Sequence, residues 1–356
     1  MHNSLAIESA PPADSTKAEN YRVKVISGNA IDSALLQRWR ALQESNPELE
    51  NPCFAPEFTQ AVAAARNDVE VGIIEVGRKV VAIFPFQRKA GGRAVPVGGI
   101  VSDYQGLICG ADFSCDSREL LKACGLVSWD FDRLLATQGF FKSFHKLCEP
   151  SALVDLSQGY EAYVAERRAA GSEQIKKCMN LMRRLELEIG PIRFVPHSPD
   201  RSALSKVLAW KSGQYQKTGW RDLFALKWGR SLVEQIHATQ SESFAGMLSL
   251  LYAGEKLLAG HIGMRSRSVW HYWFPAYDPQ FAKYSPGLLL LLKMAEHAPN
   301  IGLRTIDLGT GMTLYKRRLM NASIFVAEGS VERTSWLSFL RRARRKARQL
   351  MVGAAT

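Results

Sequence analysis

The segments "IIEVGRKVVA" (residues 73–82) and "LLYAGEKLLA" (residues 250–259) repeat one pattern at a distance of 177 residues. Each has an apolar run, a glycine turn with a charged residue, and a second apolar run, which predicts a β-hairpin. Identical residues stand at three equivalent places: Gly77 and Gly254, Lys79 and Lys256, Ala82 and Ala259. Single hairpins of this kind also arise by chance or convergence. The distance is about half of the chain, however, and therefore favours an internal duplication.

The sequences around the two hairpins are also alike. A helical stretch precedes each hairpin, at residues 31–45 and 200–219, and Asp32 and Asp200 stand where N-terminal caps are expected. Strand-like segments follow each hairpin, "AVPVGGIVSDYQGLICG" in the first half and "SVWHYWFPAYD" in the second. We therefore predict two copies of one α/β unit, at residues 21–157 and 190–330, joined by a charged helix at residues 158–189.

The length of 356 residues suits one large or two medium domains, and 46% hydrophobic with 22% charged residues is typical of globular proteins. No apolar run approaches the ~20 residues needed to cross a bilayer. Residues 1–20 lack the basic start and the long apolar run of a signal peptide, and their Pro, Ser and acidic residues predict a disordered lead-in. These features predict a cytoplasmic protein.

The six cysteines are spread along the chain without a Cys-x-x-Cys pair. This spacing argues against a structural zinc site and against a disulfide framework. We expect reduced, mostly buried thiols and no metal.

The net charge of +12 is concentrated near the end of the sequence. Residues 331–356 carry seven basic side chains against one acidic one, which is half of the excess. Apolar residues recur there at three- and four-residue steps, at Trp336, Leu340, Ala343, Ala347 and Leu350. This pattern predicts a basic amphipathic helix. Such a helix could lie on the inner face of a membrane, contact a polysaccharide synthase or a polyanion, or dock on the protein itself.

The second half predicts a defined order of elements. Strands are expected at 247–252, 256–265 and 268–277, then a loop (278–287), a helix (287–298), the strand "LRTIDLG" (303–309) and a helix at Tyr315-Lys316. The first helix begins at Ser285-Pro286-Gly287. Proline suits a first helical turn, and the unpaired amides of a helix start can bind an anion. An ordinary capped helix is the alternative.

This order of elements resembles the acyl-transfer domain of the GNAT superfamily, and the doubled unit resembles its FemAB-like branch. Four motifs are similar to bacterial acetyltransferase-like proteins of cellulose and exopolysaccharide synthesis: "NPCFAPEF" (51–58), "SDYQGLI" (102–108), "WKSGQYQKTG" (210–219) and Asp-x-Gly-x-Gly-x-x-x-Tyr-Lys (307–316). The resemblance covers most of residues 22–330. It implies an α/β (α+β) fold of two tandem GNAT-like domains, each a mixed, mostly antiparallel sheet flanked by helices.

The same resemblance implies acetyl-CoA, or another acyl-CoA, as the acyl donor. Its phosphates would lie in the loop before the central helix, and the residues expected to bind it are Lys283, Tyr284, Ser285, Gly287, Leu288 and Lys316. The superfamily loop reads Gln/Arg-x-x-Gly-x-Gly/Ala, whereas this chain has "AKYSPG" (282–287), with alanine at the basic position and serine at the first glycine. Met312, Thr313 and Leu314 also stand where this subgroup often has acidic residues.

Acyl transfer needs a base for the acceptor and an acid for the leaving thiolate. Tyr315 is the candidate acid, because it follows a Gly-x-Gly loop that lets a ligand approach the backbone. Asp307 ends a predicted strand, where catalytic groups of α/β folds often lie, although a helix-capping carboxylate is equally compatible. His271 could accept a proton, or it could be a core histidine. Strand alternation predicts Val269, His271 and Trp273 on one face, opposite Trp270, Tyr272 and Phe274.

A cleft between the two halves is the predicted acceptor site. The residues expected to line it are Asp103, Tyr104, Trp210, Lys211, Tyr215 and His261. Aromatic rings with polar groups between them suit a sugar ring, and they also suit an ordinary domain interface.

Three functions follow from these patterns. The first is an acyltransferase that moves an acyl group from coenzyme A to an amine or hydroxyl of a sugar, polysaccharide or cell-envelope precursor. The second is a FemAB-type transferase that uses aminoacyl-tRNA. The positive net charge is compatible with this hypothesis, because it favours binding to nucleic acid. The third is a non-catalytic accessory protein of an exopolysaccharide synthase. The sequence names neither the acceptor, nor the acyl group, nor the oligomeric state.

Overall fold

The computed structural model describes residues 21–333, which form thirteen strands and nine α-helices. The strands are β1 (Arg22–Ser27), β2 (Val69–Val76), β3 (Lys79–Lys89), β4 (Arg93–Val95), β5 (Ile108–Cys109), β6 (Ser128–Leu135), β7 (His145–Asp155), β8 (Ile192–Val195), β9 (Ala245–Ala253), β10 (Lys256–Arg265), β11 (Val269–Tyr277), β12 (Thr305–Gly309) and β13 (Ala322–Glu332). The helices are α1 (Ser33–Glu44), α2 (Pro56–Ala65), α3 (Ser117–Ala123), α4 (Tyr160–Ala169), α5 (Gln174–Glu188), α6 (Arg201–Thr218), α7 (Lys227–Ala238), α8 (Pro286–His297) and α9 (Leu314–Leu319).

Both predicted hairpins are present, as β2–β3 and β9–β10, and they share one irregularity. In the first, Ile74 pairs with Ala82, and the register shifts so that Val81 is bulged; in the second, Leu251 pairs with Ala259 and Leu258 is bulged. Each bulge lies 177 positions from the other, the distance at which the sequences repeat. β-Bulges are usually conserved among related structures, so the same bulge in both hairpins supports the duplication.

The predicted helices before the hairpins are confirmed as α1 and α6. Asp32 accepts a hydrogen bond from the Leu35 N–H at 2.8 Å, and Asp200 accepts one from the Ser202 N–H at 2.7 Å. These are the capping contacts that the sequence predicts. The predicted bounds of β9, β10, β11 and α8 agree with the structure within two residues.

Each half gives its last strand to the other half. The sheet runs β1-β2-β3-β4-β6-β13-β7-β12-β11-β10-β9-β8, with β5 paired to β3 beside this path. Strand β7 is the last strand of the first half, yet it pairs with β12 of the second half. Strand β13 is the last strand of the second half, yet it pairs with β6 of the first. Strands β7 and β13 also pair with each other, so a single sheet crosses the centre of the protein.

The two halves differ most after their hairpins. The second half continues into the nine-residue strand β11, whereas the first has only β4, of three residues, and the two-residue β5. Of the strand-like segment predicted at 94–110, only the two ends form strands, in β4 and β5. Pro96 and the left-handed glycines Gly98 (φ 80°) and Gly99 (φ 55°) turn the chain into a loop instead. This loop brings Asp103 to the second half.

The segment between the halves also differs from the expectation of one helix at residues 158–189. It forms the two helices α4 and α5, with the left-handed Gly171 (φ 75°) between them. A glycine in this conformation is a common helix stop. The predicted lead-in at residues 1–20 lies outside the described residues, as does the tail beyond Arg333; Val331 and Glu332 belong to β13.

Helices cover both faces of the second-half sheet. Helices α6 and α7 pack on one face, in a core that also contains Trp39 of α1 and Phe58 of α2. Helices α5 and α8 pack on the opposite face, in a second core. We call these the α6 face and the α8 face. No helix between residues 21 and 333 is long and apolar enough to cross a membrane.

We expect Gly260→Ala to destabilise the protein, because α6 packs directly on this glycine. An added Cβ would lie 2.2 Å from Val207 Cγ2, and Val207 is fully buried. Overpacking of this kind typically costs about 1–3 kcal/mol of unfolding free energy. Urea denaturation would measure the loss. Gly213→Ala is the matched control, since a Cβ there meets nothing within 4 Å and alanine suits a helix. Equal stabilities of the two variants would contradict this packing.

Candidate functional site

The strands β11 and β12 separate at the centre of the second half. They pair in parallel only from Val269 to His271 and from Thr305 to Asp307. Beyond His271, β11 continues for six residues, and in the described part of the chain none of them pairs with β12. We call the resulting gap the β11–β12 opening. It lies between the α6 face and the α8 face.

Helix α8 begins beside this opening. The Tyr272 hydroxyl, on β11, donates a hydrogen bond to Gly287 O at 3.1 Å. No side chain caps the helix start, and Pro286 has no N–H. The Leu288 N–H donates to Ser285 O at 2.9 Å, so this amide already has a partner. A Cβ on Gly287 would meet only Tyr277 Cδ1, at 3.7 Å, so the space in front of Gly287 is open.

Ser285, just before helix α8, has a backbone conformation that glycine adopts more readily. Its φ of 52° and ψ of 49° are left-handed, and it is the one non-glycine residue with positive φ in residues 21–333. Left-handed backbone is unfavourable for residues with a Cβ. Ser285 thus holds a backbone conformation that a glycine would adopt without strain.

Lys283 and Tyr284 both contact Glu188 of α5. The Lys283 ammonium lies 3.2 Å from Glu188 Oε2, and the Tyr284 hydroxyl donates to the same oxygen. Tyr284 is buried, whereas the Lys283 side chain is 60% exposed. The tyrosine thus anchors the loop to α5, and the lysine retains access to a ligand.

Asp103, His271 and Asp307 meet on the α6 face of the opening. His271 Nε2 lies 3.1 Å from Asp103 Oδ2, and His271 Nδ1 lies 3.9 Å from Asp307 Oδ1. His271 and Asp307 are buried, while the Asp103 side chain is 22% exposed. Asp103 is therefore the member of this cluster that a ligand can reach.

Hydrogen bonds hold the Asp307 carboxylate in place. Asn51 Nδ2 donates to Oδ2 at 2.7 Å, and the Gly309 N–H donates to Oδ1 at 2.7 Å. The buried Tyr104 hydroxyl donates to Ser151 Oγ at 2.7 Å and also lies within hydrogen-bonding reach of Asp307. Asn51 and Tyr104 belong to the first half, so the contact crosses between the halves.

The charges of the cluster follow from burial and pairing. Burial alone would lower the pKa of His271, but Asp103 and Asp307 raise it above its ordinary value. Burial alone would raise the pKa of Asp103, but the close approach and charge of His271, together with Arg133, hold it below its usual range. Burial raises the pKa of Asp307. The arrangement favours an ionised Asp103 paired with a protonated His271.

Lys316 lies in the same cluster rather than near α8. Its ammonium donates to Gly309 O at 3.2 Å and to Thr310 O, and it is buried. Burial lowers its pKa, against the opposing charges of Asp103 and Asp307. The geometry thus indicates a lysine that fixes the glycine loop after β12, not a residue that extends to phosphate.

Tyr315 lies on the α8 face, at the other side of the opening. It packs against the core that contains Tyr272 and Leu289, and burial raises its pKa to about 12. Its phenol therefore stays protonated at neutral pH and can donate a proton.

His261 lies inside the sheet. Its Nε2 accepts the Trp273 N–H at 3.1 Å, its ring stacks on Tyr272 at 4.8 Å, and burial lowers its pKa to about 3. The ring fills a bulge at which Tyr272 and Trp273 both oppose Gly263. This bulge also moves Phe274 into the same core as Trp273, so the predicted alternation fails at Phe274. His261 is a neutral core residue in this geometry.

Trp210, Lys211 and Tyr215 of α6 lie at the α6 face of the opening. Lys211 Nζ donates to Pro275 O at 3.1 Å, and its ammonium lies over the Tyr215 ring at 5.3 Å. Burial, Asp222 and Asp103 raise the pKa of Tyr215 to about 12. Trp210 and Tyr215 are partly buried against the core.

The structure thus places the predicted residues in two groups, one on each face of the opening. Sequence reasoning did not select Asn51, Arg133, Glu188 or Tyr272. Asn51 stands in the quoted motif "NPCFAPEF", which was a usable signal, but no local pattern marks Arg133 or Glu188. The described residues contain no group of three or more His, Cys, Asp or Glu that could hold a metal ion.

Residues 172–317 match the family model of the acetyltransferase (GNAT) domain. These residues include β11, α8, β12 and Tyr315, so the opening lies within the matched segment. No curated protein sequence matches the chain.

Solved structures show the same fold at low sequence identity. FemX has a TM-score of 0.57 and 12% identity, over 83% of this chain and 94% of that chain. The C-terminal domain of a protein described as a lysylphosphatidylglycerol synthetase, from Agrobacterium fabrum, has a TM-score of 0.55 and 11% identity, over 84% and 91%. These likenesses extend over both halves and confirm the predicted α/β architecture.

We expect His271→Gln to lower stability in a pH-dependent way. The folded-state pKa of His271 is raised, so its contribution is complete below the ordinary value of about 6.5 and is lost as pH rises through the raised value. Removing one partner of a buried charge pair costs about 3–5 kcal/mol. The difference from the wild type should therefore be largest at acid pH and shrink on the alkaline side. Urea denaturation between about pH 5.5 and 9 would measure it.

His197→Gln is the matched control. Burial, His237 and Arg265 lower the pKa of His197, so its contribution is present above the ordinary value and is lost as pH falls. The two variants should have opposite pH dependence. A His271→Gln difference that grows with rising pH would contradict the assignment of a protonated His271.

Proposed function

We propose that the protein transfers an acyl group from acetyl-CoA, or another acyl-CoA, to an amine or hydroxyl of a sugar, polysaccharide or cell-envelope precursor. The observation that supports this best is the β11–β12 opening. It has a tyrosine and an uncapped helix start on one face and an ionised aspartate on the other. Acyl transfer needs an acid on the side of the leaving group and a proton acceptor on the side of the acceptor.

The residues at the start of α8 fit a phosphate-bearing donor. The helix has no side-chain cap, and the space before Gly287 is open. The positive end of the helix dipole favours an anion, and Lys283 adds a reachable charge. Bound acyl-CoA would supply the activated thioester. Lys283, Ser285 and Gly287 would hold its phosphates, and Leu288 would contact it through its side chain.

Each face of the opening would then carry out one of the two proton transfers. On the α6 face, Asp103 would bind the acceptor's amine or hydroxyl and receive its proton, while His271 and Asp307 hold the carboxylate in place. On the α8 face, Tyr315 would donate a proton to the leaving sulfur. The raised pKa of Tyr315 keeps this proton available at neutral pH.

We expect Tyr315→Phe to lower kcat by about 100-fold or more, because general acid catalysis contributes about 10²–10⁴-fold. Steady-state kinetics with acetyl-CoA would measure this. Tyr163→Phe is the control. The Tyr163 hydroxyl donates a hydrogen bond to Leu319 O at 2.7 Å, at the end of α9, the helix that also contains Tyr315. This control variant should change stability more than turnover. Unchanged turnover in Tyr315→Phe would remove the acid assignment.

We expect Gly287→Val to weaken acetyl-CoA binding at least tenfold with little change in stability. The protein has room for the added side chain, since only Tyr277 lies within 4 Å of the new Cβ, but a ligand before α8 would collide with it. Acetyl-CoA at ~100 times its dissociation constant should stabilise the wild type by about 2.7 kcal/mol. Thermal shift and calorimetry would compare wild type, Gly287→Ala and Gly287→Val. Equal affinities would place the donor elsewhere.

An aminoacyl-tRNA-dependent transferase is the second candidate, supported by the net charge of +12 and by the structural likeness to FemX. The same thermal-shift assay separates the two. A shift with aminoacyl-tRNA but none with acyl-CoA, and a steep loss of binding with salt, would favour this candidate. No shift with either ligand would favour an accessory protein of an exopolysaccharide synthase.

A further inference from the structure

The positively charged ammonium of Lys211 has few partners within the protein. The residue lies on α6, half-buried, and its ammonium donates one hydrogen bond, to Pro275 O at 3.1 Å. Its other close contact is the face of the Tyr215 ring, at 5.3 Å. A lysine ammonium has three donors. Donor capacity therefore remains for a further acceptor.

No carboxylate neutralises Lys211 in the described part of the chain. The ion pairs between residues 21 and 333 do not include it, and burial alone lowers its pKa, to about 8. Lys316 is different, because its ammonium bonds two carbonyls close to Asp103 and Asp307. A partly buried cation without a counter-charge is unfavourable unless a ligand neutralises its charge.

The position of Lys211 relates this charge to the opening. Pro275 lies in the part of β11 beyond His271, where β12 no longer pairs. Tyr215 lies next to Lys211 and is close enough to Asp103 for that carboxylate to raise its pKa. The α6 face of the opening thus has an anionic group at Asp103 and a cationic group at Lys211, and Tyr215 lies near both.

We propose that Lys211 binds an anionic group, a carboxylate or a phosphate, on the acyl acceptor whose amine or hydroxyl lies at Asp103. This inference rests on the proposed function and narrows its substrate class. The acceptor carries both a nucleophile and an acidic group. Uncharged sugars lack the second contact and are poor acceptors.

The test compares amino sugars that do or do not carry an acidic group. Glucosamine, glucosamine 6-phosphate and muramic acid share an amino sugar and carry no acid, a phosphate or a carboxylate. Dissociation constants are measured by calorimetry without acyl donor, and KM and kcat with acetyl-CoA. A hydrogen-bonded charge pair should favour one or both acidic sugars over glucosamine by about 10- to 100-fold in the wild type. The stronger of the two identifies the anionic group.

Lys211→Met retains the side-chain length and removes the charge. It should abolish the preference for the acidic sugar through KM, with little change in kcat or in the affinity for acetyl-CoA. Lys211→Arg should restore part of the preference. Lys206→Met is the matched control on the same helix, where the exposed lysine lies over Trp210 at 5.3 Å.

Three outcomes would overturn the proposal: equal wild-type affinities for acidic and neutral sugars, including binding of neither at millimolar concentration; a preference that survives in Lys211→Met; or an equal loss for all three sugars. Acetyl-CoA binding by the wild type is measured separately. If acetyl-CoA binds and the charge preference is absent, only the role of Lys211 fails. If acetyl-CoA does not bind, the proposed function fails first.

Discussion

The exchange of the last strands between the halves is the constraint on which the rest of the structure depends. Because β7 pairs with β12 and β13 pairs with β6, the boundary between the halves is a ladder of backbone hydrogen bonds rather than a surface of side-chain contacts. Interfaces between domains usually permit relative motion, whereas a shared sheet does not. The first-half residues Asn51 and Asp103 are therefore held at fixed positions against β11 and β12.

That rigidity permits the burial of charge at the boundary. His271 is taken out of water between two carboxylates, and such clusters usually add little net stability because desolvation offsets the attraction. A misplaced partner would leave an uncompensated charge, which is strongly destabilising. The cluster consequently tolerates little displacement of the halves. This is the property that a site built from both halves requires, and it explains why the first half has a loop where the second has a long strand.

The sequence predicted the fold better than the site, for a physical reason. Hairpins, caps and helix starts are local, so Gly77, Gly254, Asp32 and Asp200 reported them correctly. The strand exchange is not local, since nothing in the alternation of β7 or β13 specifies a partner far away in the chain. Asp103, His271 and Asp307 were selected for separate reasons and met only in the structure.

Long side chains were the least predictable. Lys316 and Tyr284 stand at the expected places in sequence, yet their polar ends reach the carbonyls after β12 and Glu188. Sequence spacing shows where a side chain begins, but the end of a long side chain depends on which acceptors the fold leaves unsatisfied. The same holds for His261, which the bulge in β11 turns into a core residue.

The exchanged strands also determine when the protein can become complete during synthesis. Strand β6 pairs with β4 on one side, but its second neighbour is β13, about 200 residues later, so the first half emerges from the ribosome with this edge of β6 unpaired. Contacts of such long range slow folding, and open strand edges favour aggregation. A nascent chain halted before residue 322 would therefore depend on chaperones, even though it already contains the whole of the first repeat.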